Sequence, residues 1–94
     1  MTSVQLLWWH DADRTMTRLE EDPSLADVLL AVRRTLGRLE RDPYDRRLRT
    51  RQFAREGYVQ VRTTPTTHGD WWIFWMSGPE PDEITIVAIA ETSV

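Results

Sequence analysis

Apolar positions change period along this chain, from an unbroken run, through two helical repeats, to alternation at every second residue. Residues Ser3 to Trp9 hold VQLLWW, rich in β-favouring Val and Trp and free of helix punctuation, which predicts a first strand. Ala12, Met16 and Leu19 then recur at i, i+4 and i+7, the spacing of a short amphipathic helix, with Asp11 or Asp13 as its expected cap. Glu20, Glu21 and Asp22 oppose the helix dipole at its end and keep it short. Asp22-Pro23-Ser24 breaks the chain, and Ser24 with Asp27 three residues on resembles a capping box that opens a second helix. Its stripe of Leu25, Val28, Leu29, Val32, Leu36 and Leu39 stays on one face until Asp42-Pro43 ends it, while Arg33, Arg34, Arg38 and Arg41 occupy the solvated face.

From Tyr44 to Glu56 the sequence is polar and dense in Arg, with only Leu48 and Phe53 as anchors, and it reads as a connection lying over the core. Three strands are predicted beyond it: Tyr58 to Thr64, Asp70 to Ser77 and Glu83 to Thr92, separated by the turn-rich PTTHG and GPEPD. In the middle one Trp71, Ile73 and Trp75 share one face and Trp72, Phe74 and Met76 the other, so it belongs inside the sheet. The expected plan is α+β: a strand, a two-helix hairpin and a three-stranded antiparallel meander, with the helices packed on one face of a small antiparallel sheet. The second face is then either shielded by the Arg-rich segment or left as a sticky patch, the usual sign of a partner.

At 94 residues and 11.1 kDa the chain fits a single domain over residues 1–94. A domain this small buries about 60 to 65% of its unfolded surface, so the core is thin, every large apolar residue should matter, and five Trp stand out. Cysteine is absent, which excludes a disulfide framework, a thiolate metal site and a Cys nucleophile. The first residues lack the basic start and apolar run of a signal peptide, and no apolar stretch approaches the ~20 residues of a membrane helix, so a soluble cytoplasmic protein is expected. All twelve cationic residues are Arg, which reads first as the codon usage of a GC-rich genome and second as selection for bidentate phosphate contacts. Their distribution says more than the net charge of −3: residues 46–69 hold six Arg against Glu56, and residues 70–94 hold five acids and no base.

The order of elements, with LRTRQFAREGYVQVR leading into DWWIFWMS and EITIVAIAE, resembles the RelE/ParE superfamily of bacterial toxin–antitoxin toxins over nearly the whole length. In those toxins Gly, four residues and then a base open the second strand, and Gly57 to Arg62 keeps that spacing. The resemblance implies a RelE/ParE-like fold, a cognate antitoxin as partner and, for the nuclease members, basic residues on the sheet that polarise a messenger RNA phosphate on the ribosome. Departures are visible too. Gln60 stands at the preceding alternate position, Trp72 falls where the next strand usually presents Arg, and AETSV replaces a basic, Tyr-bearing tail.

Cleaving RNA by attack of its own 2′-OH needs a base, a cation for the phosphorane charge and an acid for the leaving oxygen. Arg62 is the candidate cation, His68 beside Asp70 and Tyr58 are the candidate proton carriers, and Arg47, Arg49, Arg51 and Arg55 are candidate RNA phosphate contacts. Each Arg also has a plain reading as a surface residue paired with Glu56 or Asp70, and His68 one as a polar loop residue. Trp71, Trp72 and Trp75 are expected to fill core and partner interface, with stacking on bases as the rarer role. Two isolated His without ligand spacing predict no metal site, and no cofactor is expected. The reading that results is a toxin-like component and candidate ribosome-associated, metal-independent mRNA endoribonuclease. Its alternative is a non-catalytic protein of the same fold, directed at DNA gyrase or degenerate, acting through protein contacts, with a homodimer left open. A pI of 5.3 speaks against a general nucleic-acid binder.

Overall fold

The computed structural model describes residues 4–42, 51–53, 58–63, 66 and 69–92. Strand β1 (Gln5–Trp8) leads into helix α1 (His10–Glu21), a 3-10 turn (Pro23–Leu25) and helix α2 (Ala26–Arg41). Strands β2 (Arg51–Phe53), β3 (Tyr58–Arg62), β4 (Asp70–Ser77) and β5 (Glu83–Thr92) follow. They form one five-stranded sheet in the order β1-β5-β4-β3-β2. The expected antiparallel meander is β3-β4-β5, and β2 extends it antiparallel. At the far edge β1 joins β5 in parallel, a departure from an all-antiparallel sheet. No tight turn links β1 to β5, so hairpin geometry does not dictate their relative direction.

Local chemistry corrects two expected caps. Trp9 is the N-cap of α1 and makes no side-chain capping bond, so Asp11 and Asp13 lie in the first turn, where they complement the dipole. The backbone carbonyls of Asp11 and Asp13 accept from the hydroxyls of Thr15 and Thr17. Ahead of α2 it is Asp22, not Ser24, that caps: its carboxylate accepts from the Ser24 amide at 3.0 Å and hydroxyl at 2.6 Å, fixing a 3-10 turn with Pro23 at its start. A third correction is β2, which lies inside the segment expected to be a connection and pairs Phe53 with Tyr58 and Arg51 with Gln60. Three residues are too few to show alternation, and Arg suits an edge strand.

Both helices pack on one face of the sheet. Ala12 and Leu19 of α1, Val28, Val32, Leu36 and Leu39 of α2, Trp71, Ile73 and Trp75 of β4, and Ile84, Ile86 and Ile89 of β5 form one buried cluster. A β-bulge makes the β5 contribution possible. Opposite β4, Trp75 pairs with Ile86 and Phe74 with Ala88, so Val87 is the extra residue and Ile89 returns to the face of Ile84 and Ile86. Without that residue, strict alternation would turn Ile89 away from the helices. At the β4–β5 turn Gly78 takes φ +104, a conformation that favours glycine, and its carbonyl accepts from the Thr85 hydroxyl at 2.9 Å.

Candidate functional site: the face of the sheet opposite the helices

The second face of the sheet begins with the residues that alternate against the core. On β4 these are Trp72, Phe74 and Met76, all half-buried, while their neighbours Trp71, Ile73 and Trp75 are buried beneath the helices. Across the ladder Trp72 pairs with Ala90 and Phe74 with Ala88, so small side chains stand beside large rings. Met76 pairs with Thr85, which in turn pairs with Leu7 of β1. The face is therefore an apolar strip three strands wide, and neither helix of the core cluster lies on it. The indole Nε1 of Trp72 is shielded from water and has no hydrogen-bond partner among the described residues. Such a donor costs about 1–3 kcal/mol while it stays unpaired.

Beside this strip runs β3. Arg62 is the ladder partner of Trp72 and Gln60 that of Phe74, and directly paired positions belong to the same face of a sheet. The position of the candidate cation thus adjoins the apolar strip. Tyr58 stands at the other end of β3, opposite Phe53, four residues from Arg62 and about 13 Å along the strand. The backbone therefore does not bring the two to one point. Arg51 enters through its pairing with Gln60. His68, Arg47, Arg49 and Arg55 lie outside the described residues.

The three Trp expected at a partner interface divide. Trp71 and Trp75 are 2% and 0% exposed under α1 and α2, which removes them from any surface role in this fold. Trp72 remains on the face opposite the helices, half-buried. Leu7, Phe74 and Met76 join it there, and their place could have been read from the alternation of β4 once β1 was known to flank β5. Trp8 and Trp9, 36% and 52% exposed, project near the β1 edge, where the Trp9 amide donates to Ile86. A depression lined by Asp11, Arg14, Thr15 and Arg18 belongs to the outer side of α1 alone. Among the described residues no group of three His, Asp or Glu is placed to hold a metal ion, and no helix is long and apolar enough to cross a membrane.

One chain of the intact E. coli RelBE toxin–antitoxin complex superposes on this protein with a TM-score of 0.70, over 98% of this chain and 100% of that one. The chain has a RelE-like fold. Sequence identity over the match is 9%, so the likeness is one of architecture. No protein-family model matches the sequence, and no curated protein matches it either. In this arrangement the helical hairpin covers one side of the sheet, and the Arg62–Trp72 pair of ladder positions belongs to the other.

Proposed function

We propose that this protein is a toxin-like component of a toxin–antitoxin pair that acts through the face of its sheet opposite the helices, in the cytoplasm. The observation that carries this reading is the ladder pair of Arg62 and Trp72 on the helix-free face of the sheet in a RelE-like fold. In the finer form of the proposal the target is messenger RNA on the ribosome. Arg62 would then stabilise the charge that develops on the phosphorane, with Arg47, Arg49, Arg51 and Arg55 holding flanking phosphates. His68 and Tyr58 are the groups that would move protons to and from the 2′ and 5′ oxygens. A cognate antitoxin would silence the protein by covering the same strip.

A second reading is favoured by the chemistry of that strip. Trp72, Phe74 and Met76 form a continuous apolar surface, better suited to a protein partner such as an antitoxin or gyrase than to a phosphate chain. Mapping messenger ends by primer extension after induction separates the two. Cuts that vanish with Arg62→Ala support the nuclease, since loss of one such charge stabiliser costs about 10²–10³ in rate. Growth arrest with intact messenger supports action through protein contacts, and absence of both arrest and cuts contradicts the proposal.

A further inference from the structure

The two edges of the sheet are finished differently. Strand β2 carries Arg51 at one edge, whereas Val4 to Trp9 at the other has no charge, proline or glycine to discourage further pairing. Alternate residues join β1 to β5: the Gln5 amide donates to the Asp82 carbonyl and the Trp9 amide to that of Ile86. By the same alternation the amide and carbonyl of Leu6 and of Trp8 point to the outer edge. None of these four groups has a hydrogen-bond partner among the described residues, and the exposed Trp8 and Trp9 side chains stand beside them.

The edge is complementary to itself. When two β1 strands run antiparallel with Leu7 opposite Leu7, Leu6 of each copy faces Trp8 of the other as a hydrogen-bonded pair, and all the outward groups of both residues are satisfied. The faces agree as well. Leu6 and Trp8 pair with Ile84 and Ile86 on the helix side of β5, while Leu7 pairs with Thr85 on the other. The helices of both copies then lie on one side, and the two apolar strips that end at Leu7 become continuous.

Charge on α1 points to the same occupant. Helix α1 packs on β5 and α2 on β4, so the flank of α1 turned away from α2 lies toward β1. Glu20 is on the inner flank, where it meets Arg33 of α2 at 3.9 Å. Asp11, Arg14, Thr15 and Arg18, at i, i+3, i+4 and i+7, share the outer flank and line its depression. Asp11, Arg14 and Arg18 are exposed and make no ion pair among the described residues. A two-fold axis at Leu7 reverses the second α1, which sets the acid at the start of each helix toward Arg18 near the end of the other.

We infer that the free edge of β1 is a dimer interface for a second copy of this chain, joining two five-stranded sheets through an antiparallel β1–β1 pair centred on Leu7. A strand of another protein would use the same backbone groups but gives the reversed order of Asp11 and Arg18 no role. The inference does not rest on the toxin-like reading.

Sedimentation equilibrium of the full chain from about 5 to 500 µM tests it, and should show a species of twice 11.1 kDa that dissociates on dilution. Leu7→Glu alone and Leu7→Lys alone set like charges directly opposite each other and should each weaken the dimer at least about tenfold. Their equimolar mixture should form a heterodimer, seen by native mass spectrometry. Arg18→Glu, at an exposed position that leaves folding intact, should weaken the dimer about tenfold because it acts twice across the axis, and Asp11→Arg/Arg18→Glu should restore it. Circular dichroism verifies that each variant is folded. The inference is overturned by a chain that is monomeric at every concentration, by a dimer indifferent to Leu7→Glu, by absence of heterodimer in the mixture of folded variants, or by a double variant no tighter than Arg18→Glu.

Discussion

Strand β4 places two sets of large apolar side chains back to back, and the two faces have different fates. Trp71, Ile73 and Trp75 are sealed by the helices, whereas Trp72, Phe74 and Met76 on the same eight residues stay half-buried. Hydrophobicity does not separate the sets, because both would serve as core. What separates them is the helical hairpin, which seals the first face and does not lie on the second. A functional reading of a Trp-rich strand thus depends on knowing which face is covered.

The comparison is broken most sharply by truncation on the covered side. Trp75→Ala should cost about 3–5 kcal/mol, a large share of the 5–15 kcal/mol that a typical domain possesses, and urea denaturation should show a chain near its unfolding threshold. A loss under about 1 kcal/mol would place Trp75 outside the core. Trp72→Ala should cost less, about 1–2 kcal/mol, since a half-buried ring gives up less contact and its unpaired Nε1 is removed with it. Equal urea midpoints for the two variants would erase the distinction between the faces.

Smaller effects sharpen the account of the covering layer itself. Asp22→Ala removes both bonds to Ser24 and should lower the thermal midpoint by the equivalent of about 1 kcal/mol, while Ser24→Ala, with the amide bond intact, should lower it less. Gly37→Ala should raise stability by about 0.4–1 kcal/mol, because the added Cβ meets open space and the unfolded chain loses freedom. A fall instead would mean that the outer face of α2 is already occupied within this chain.

Much of this layout was legible from periodicity. The bounds of β4 and β5 follow from alternation between turn-rich segments, and the stripe of α2 from its i, i+3, i+4 repeat, because both patterns are set by burial on one side. Features fixed by single bonds or single residues were not legible. Whether Asp22 or Ser24 caps depends on which oxygen meets an amide, and β2 is too short to show a period. The bulge at Val87 is hidden because EITIVAIAE suits a regular strand almost as well. Trp71 and Trp75 were expected partly at an interface because alternation assigns residues to faces without saying which face the helices take. For the candidate site, the spacing from Gly57 put Arg62 on a strand, but its ladder pairing with Trp72 and the distance to Tyr58 at the far end depend on register, which the sequence does not carry.

The proposal stands or falls on whether the face opposite the helices, with Arg62 at its margin, carries an activity distinct from folding. Growth of a bacterial host under tightly controlled induction of the parent chain and of Arg62→Ala, both verified as folded by circular dichroism, tests it most directly. The account predicts arrest by the parent and relief of that arrest by Arg62→Ala at equal expression. Unimpaired growth with folded parent protein, or arrest of equal depth by both chains, would contradict it.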